Sequence, residues 1–263
     1  MKILFIGDIV GKPARKAVVA LLPKLKEELQ PDIIIANLEN LSHGKGMSRK
    51  AVQEMLNAGI DIGTGGNHTF SKPEAEVLLA DDQLPLVRPM NMEAHFAGEG
   101  MRTFTVRGKT VTVINLLGEH GMFPAPVDSP FHAMTRVMQD GIPSADAIIV
   151  DMHADTTSEK INMGWYLDGK VSAVLGTHTH VTTADERILP GGTGYITDVG
   201  MVGLRDSSLG VDRHQALKRF LEGGKAPFEI PDTGDVELRA VLLTIENGKT
   251  IAIERVTQTQ TIS

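Results

Sequence analysis

Seven side chains able to ligate a transition metal sit where apolar runs of the sequence end: Asp8, Glu39, Asn40, Asn67, His153, His178 and His180. Carboxylate oxygen, amide oxygen and neutral imidazole suit iron, manganese or zinc, whereas an all-oxygen calcium or magnesium cage needs no histidine. Seven donors are too many for one catalytic ion with an open position, and about right for two ions that share a carboxylate. Two ions roughly 3.5–4 Å apart are a device for phosphoester displacement, binding the phosphate oxygens and activating water. Read singly, each residue has an ordinary alternative. Asp8 after "FIG" can cap the following helix, Glu39-Asn40 can be a solvated loop, and the glycines of "GGNH" can serve a turn. The pair in "GTHTH" (176–180) alternates faces if extended, so both histidines can bind only where the backbone turns. The joint pattern carries the metal reading: five strand ends each deliver a carboxylate, an amide or an imidazole.

Strands and helices must bring these positions together. Short Ile- and Val-rich runs at 2–7, 32–37, 60–64, 111–117, 145–152 and 171–177 read as buried strands. Leucines and valines at helical spacing mark a helix over 13–30, in which Pro23 predicts a kink or break. Ser48 can cap a helix that ends at Gly59, and Ser71/Glu74 and Thr156/Glu159 have capping-box spacing. Residues 237–256 read as a hairpin turning at Asn-Gly. Residues 118–135 form the best candidate for a long surface loop, with shorter candidates at 183–194 and 223–235. The pattern predicts one α/β domain over 1–263, with a mixed sheet or two packed sheets covered by helices. In such a sheet the ends of parallel strands lie along one edge, where ligand sites form.

Composition narrows the class. The chain has 263 residues, no cysteine and a net charge of −7, so disulfides and thiolate chemistry are out and any metal must rest on His, Asp, Glu or Asn. No apolar run is long enough to span a bilayer and the N-terminus is not a secretory signal, so a cytoplasmic protein without a membrane partner is expected. No basic cluster supports duplex nucleic-acid binding, while a small nucleotide remains an acceptable substrate. His43 and Arg88 are candidates to touch substrate, each with a simpler structural role available, and His95, His120, His132 and His214 read as surface or structural. Gly44-Lys45-Gly46 lacks P-loop spacing, and nothing physical assigns a role to "TDVGM" (197–201).

Asp8 after a strand, Glu39, Gly-Asn-His at 66–68, a later lone His153 and Gly-x-His-x-His at 176–180 together resemble the calcineurin-like metallophosphoesterases over residues 1 to about 205. "GDIVGKPAR" (7–15), "NLEN" (37–40), "GGNHTF" (65–70) and "TDVGM" resemble its YmdB-type phosphodiesterase branch. The wider superfamily has Asp-x-His where this chain has Val10, a bridging Asp where it has Glu39, and an acid where it has Thr69; the YmdB-type branch shares these changes, with Asn40 as replacement ligand. The resemblance implies a four-layer α/β/β/α sandwich, two ions (iron, with manganese or another transition metal as options) and hydrolysis of 2′,3′-cyclic nucleotides. It implies one ion on Asp8, Glu39, Asn40 and His180, the other on Glu39, Asn67, His153 and His178, with Glu39 bridging. Homo-oligomers occur in relatives. The expected mechanism is attack by a metal-bridging hydroxide, with His68 as a catalytic imidazolium near the leaving oxygen. Alternatives are a phosphomonoesterase or protein phosphatase on the same site, and a regulatory nucleotide- or RNA-linked binding module with incidental turnover.

Overall fold

The two faces of each strand decide the layering. Successive side chains of a strand point to opposite sides, and here both sides are apolar, so each sheet must be covered on both faces. The computed structural model describes residues 1–223 and 229–263. Its first half contains β1 (Lys2–Ile6), β2 (Asp8–Ile9), α1 (Gly11–Leu29), β3 (Ile33–Asn37), α2 (Arg49–Ala58), β4 (Ile62–Thr64), α3 (Glu74–Leu79), β5 (Leu86–Val87), β6 (Met101–Val106) and β7 (Lys109–Leu117). There follow α4 (Pro130–Asp140), β8 (Ala147–His153), α5 (Thr157–Leu167), β9 (Ala173–Thr177), β10 (Arg187–Ile188), β11 (Gly194–Ile196), β12 (Met201–Leu204), α6 (Arg213–Glu222), β13 (Gly234–Glu246) and β14 (Lys249–Ile262).

Among the described residues the strands form two mixed sheets. Sheet one has the order β2-β12-β13-β1-β3-β4-β5, with β14 also paired to β13. Sheet two has the order β10-β11-β9-β8-β7-β6. Ile3, Phe5, Ile33, Ile35 and Ile62 of sheet one pack against Val111, Val113, Ile149, Ala173 and Leu175 of sheet two. The opposite face of sheet one, with Leu4, Ile6, Ile34 and Ala36, meets Val18, Leu22 and Leu25 of α1 and Met55 of α2. The opposite face of sheet two, with Ile114, Val150, Met152 and Val174, meets Met134 of α4 and Met163 of α5. The expected helix–sheet–sheet–helix sandwich is therefore present. The ends of its parallel strands line two sheet edges, where a single sheet would offer one.

Local expectations fared unevenly. Ser48 caps α2, its hydroxyl accepting the Ala51 N–H, and Gly59 ends the helix at φ 104°. Asn247 and Gly248 turn the β13–β14 hairpin at positive φ. Pro23 does not break α1: it lies on the exposed side, while Ala14, Val18, Leu21, Leu22 and Leu25 hold the other side on sheet one. Ser71 and Glu74 form no capping box, because α3 begins at Glu74 itself; that carboxylate instead accepts the Arg49 N–H at the positive end of α2. Thr156 does precede α5, but its hydroxyl donates to Glu159 and caps no backbone N–H. The loop at 118 stops at Ser129, and 183–194 contains β10. Of the 223–235 stretch, residues 224–228 lie outside the described residues, and β13 starts at Gly234.

Candidate metal centre

Positions facing the other sheet are apolar along most of each strand and turn polar at its C-terminal end. β3 runs Ile33, Ile35, Asn37; β8 runs Ile149, Asp151, His153; β9 runs Ala173, Leu175, Thr177; β7 runs Val111, Val113, Asn115. These polar ends bond across the gap between the sheets. Asp151 Oδ2 accepts from Thr64 Oγ1 at 2.5 Å and Asn37 Nδ2 at 3.2 Å, and Asn115 Oδ1 accepts the Gly65 N–H at 3.2 Å. The expected donors stand on top of this plug.

Asp8, Glu39 and His153 are fully buried. Glu39 Oε1 lies 3.2 Å from both Asn40 Nδ2 and His153 Nε2. His153 Nε2 is also 3.1 Å from Asn67 Oδ1 and 3.1 Å from His178 Nδ1. Asp8 Oδ1 lies 3.3 Å from Asn40 Nδ2 and 3.7 Å from His180 Nε2. All seven residues therefore belong to one connected cluster. His178 and His180 reach it because the backbone does turn, at φ 97° and 66°. Such angles are costly for residues with a Cβ and persist only where the surroundings enforce them.

Those surroundings include residues that spacing alone did not single out. Asp198 Oδ2 accepts the Thr179 N–H at 3.1 Å and its hydroxyl at 2.8 Å, pinning the residue between the two histidines. Lys160, itself buried, pairs with the same oxygen at 2.7 Å. The "TDVGM" segment is thus the buttress of the histidine turn; a Cβ on Gly176 would strike the Thr197 carbonyl at 1.7 Å. Thr177 Oγ1 donates to Asp151 Oδ1 at 2.6 Å and lies 2.9 Å from His153 Nδ1. With its proton committed to Asp151, that hydroxyl can only accept, so His153 carries a hydrogen on Nδ1, and its Nε2, which here donates among Glu39, Asn67 and His178, is the atom a metal would take in place of a proton. Asn67 is aimed similarly: its amide donates to the Phe123 carbonyl at 2.8 Å, leaving Oδ1 toward His153. Gly66 leaves the space, since a Cβ there would lie 2.2 Å from Glu39 Oε2 and 2.4 Å from His153 Nε2. The sequence signal for these supports is a polar residue in the inward register of an apolar strand.

The donor set fits a cation. Glu39, His153 and His178 offer one ligand atom each within 4.8 Å of one another. Asn40 turns its NH₂ to Asp8, Glu39 and His180 and leaves Oδ1 buried without a partner. Cations held by those three groups would let the amide reverse, bringing its oxygen in as a ligand. Electrostatics agree. Burial opposes charge on His153, yet Glu39, Asp8 and Asp151 raise it to about 9. Burial raises Asp8, but hydrogen bonding and attraction from His180, with His153 behind, hold it below the usual carboxylate range. Burial and the neighbouring His153 push His178 down to about 3, so it presents a free lone pair. Protons now shared among crowded acids and imidazoles are what a metal displaces.

The remaining candidates divide. A cavity of about 830 Å³ adjoins the cluster and is lined by Glu39, Asn40, His178 and His180 together with His68 and His43. The His68 N–H donates to Glu39 Oε2 at 2.8 Å. Burial lowers the His68 pKa, with Glu39 opposing, so the imidazolium is a smaller share of this ring at neutral pH than of a free histidine. Arg88 is spent on the carbonyls of Gly98 and Pro89 and does not line the cavity. His95, His120 and His132 are exposed on carboxylates away from the cluster, and His214 is on exposed α6. Glu119, His120 and Glu159 also converge, but Glu159 already accepts two backbone N–H groups and the Thr156 hydroxyl. Among the described residues no helix is long and apolar enough to cross a membrane.

Comparison with known proteins gives one consistent result. The family described as YmdB-like protein matches residues 4–256. A 2′,3′-cyclic-nucleotide 2′-phosphodiesterase of Bacillus subtilis is 43% identical over 258 residues, covering 97% of this chain and 96% of that protein. The crystal structure of a hypothetical protein from Thermus thermophilus superposes with TM-score 0.91 at 38% identity, covering 99% of this chain and 100% of that one. That of a novel phosphatase from Mycoplasma pneumoniae superposes with TM-score 0.91 at 35% identity, covering 100% and 94%.

Proposed function

The chain belongs to the YmdB-like protein family, and on that premise we propose that it is a two-metal phosphodiesterase acting on small phosphodiesters, foremost 2′,3′-cyclic nucleotides. The observation that carries this reading is the position of Glu39, whose buried carboxylate contacts Asn40 on one side and His153 on the other at 3.2 Å. Asp8, Glu39, Asn40 and His180 would hold one ion; Glu39, Asn67, His153 and His178 would hold the second. Two such ions, iron by preference, supply charge neutralisation for the phosphate and activation of water at neutral pH.

The chain's own groups position and finish the reaction. The Asp151–Thr177 relay keeps His153 in its ligating tautomer. Asp198 and Lys160 hold the turn that presents His178 and His180. His68 lines the cavity, lies outside the ligand set and is tied to Glu39 through its backbone. Its neutral ring offers an N–H hydrogen bond to the leaving oxygen, and its imidazolium form, whose share grows as pH falls, can protonate it. A cyclic diester then opens to a monoester.

The test is metal analysis of protein purified without added metal, beside a His178→Ala/His180→Ala variant, with turnover measured on 2′,3′-cyclic AMP and a phosphomonoester panel. The expected result is about two ions per chain, lost in the variant together with diesterase activity. Absence of metal after incubation with Fe²⁺ or Mn²⁺, or turnover confined to monoesters, refutes the proposal.

A further inference from the structure

The cavity beside the cluster has an apolar side that the chemistry at phosphorus does not use. Val10, Leu209, Val211, Ala216 and Phe220 line it together with His68, His178 and His180. Phe220 is 88% exposed, although it stands on a cavity wall. A ring open to water on a cavity wall has its face free to take a flat partner there.

The wall that carries this ring is tied to the metal cluster. His180 Nδ1 donates to the Leu209 carbonyl at 3.2 Å while its Nε2 faces Asp8 and Asn40. Ser208 and Val211 exchange backbone hydrogen bonds of 2.9 and 3.1 Å around Leu209 and Gly210, both at positive φ. Asp212 then caps α6 through the N–H groups of His214 and Gln215. From His180 to the first turn of α6 the chain is thus held by successive hydrogen bonds, and Phe220 lies two turns further on.

Resting on the phosphodiesterase reading, we propose that Phe220 is the nucleobase platform of the substrate site, stacking the base of a nucleotide whose phosphate lies at the metal cluster. An anion-binding metal cluster and an exposed aromatic face in one cavity match a ligand that is anionic at one end and flat and apolar at the other. The volume, about 830 Å³, lies within the range of small-molecule sites. Base–aromatic stacking is tolerant of base identity, so the platform selects nucleotides over sugar or glycerol phosphodiesters without choosing strongly among bases.

The test compares the metal-loaded wild type, Phe220→Ala and Leu221→Ala on 2′,3′-cyclic AMP and on 1-O-methylribose 2′,3′-cyclic phosphate, which lacks a base. Leu221 is a neighbouring exposed residue that does not line the cavity. Phe220→Ala should raise KM for cyclic AMP about tenfold, equal to about 1.4 kcal/mol, with kcat and the base-free substrate unaffected. Leu221→Ala should change neither. A second readout needs no turnover: Phe220→Trp adds an indole whose fluorescence should be quenched saturably by adenosine 3′-monophosphate, against the wild type with only Trp165 as background. Equal KM changes on both substrates, or no added quenching, overturn the platform. So do equal effects of Phe220→Ala and Leu221→Ala accompanied by a lower sedimentation mass, which would make α6 a contact between copies. A wild type that cleaves neither substrate refutes the phosphodiesterase reading, and the quenching experiment still decides the platform.

Discussion

Thr177→Val isolates the support of the metal centre from its ligands. Valine matches threonine in shape and replaces one hydroxyl by a methyl group. That hydroxyl bonds Asp151 at 2.6 Å and faces His153 Nδ1 at 2.9 Å, all three residues being fully buried. The other neighbours of Nδ1 are Asn37 Nδ2 at 3.4 Å, a donor that cannot accept its hydrogen, and Asp8 Oδ1 at 4.0 Å, beyond hydrogen-bond distance. The variant thus leaves a buried N–H and a buried carboxylate oxygen without partners. At about 1–3 kcal/mol for each unsatisfied group, the fold should lose about 2–6 kcal/mol. Protonation of Asp151, which burial already pushes up to about 6, relieves part of this. The imidazole is also freed to change tautomer. Loss of such an outer partner lowers metal affinity about 10–100-fold. Affinity is read by competition with a fluorescent chelator for Mn²⁺, and stability by urea unfolding of the chelator-treated protein. Thr177→Ser, which keeps the hydroxyl, should restore most of the affinity. A Thr177→Val protein that binds metal within about twofold of wild type would refute the tautomer relay, whatever its stability.

Further substitutions address the other parts of the site. His68→Gln should keep its metal content and lose roughly 10²–10⁴-fold in kcat; near-wild-type turnover removes His68 from the reaction. Gly66→Ala should fold but bind less metal, because its Cβ would lie 2.2 Å from Glu39 Oε2 and 2.4 Å from His153 Nε2; full metal content by elemental analysis would contradict that crowding. Lys160→Met should cost about 3–5 kcal/mol in urea unfolding, since it leaves the Asp198 carboxylate buried and uncompensated. Adding Asp198→Asn should recover part of that loss, and an additive double variant would show that the pair is not coupled.

The residues of the candidate metal centre were legible because most follow an apolar strand and have side chains with little ordinary business there. His153 after "AIIVDM" and Asn67-His68 after "IDIGTGG" are of this kind. The layering was legible only in part: period-2 runs apolar on both faces demand covers on both sides, but they do not say whether the cover is a helix or another sheet. Asp198 and Lys160 escaped detection because their partners lie 19 and 38 residues away and meet only through the packing of α5 against β9. The Pro23 expectation failed because a sheet-bound face outweighed the loss of one helical hydrogen bond. The lowered pKa of His68 was not legible, because burial, which no local pattern reports, sets it.

The place of β1 has a consequence for synthesis on the ribosome. One side of β1 pairs with β3, which begins at Ile33, but its other side pairs with β13, where Ile6 meets Ala240. About 200 residues, or roughly 10–40 s of translation at common rates, must follow before that side is closed. During this interval the chain carries an exposed row of backbone donors and acceptors on an apolar strand, and once it has passed His180 all the candidate ligands of the metal centre are already made. Open strand edges recruit other chains. The nascent protein therefore passes through a stage in which it holds its chemistry but not its sheet, and a ribosome stalled before Gly234 would release a sticky, chaperone-dependent product.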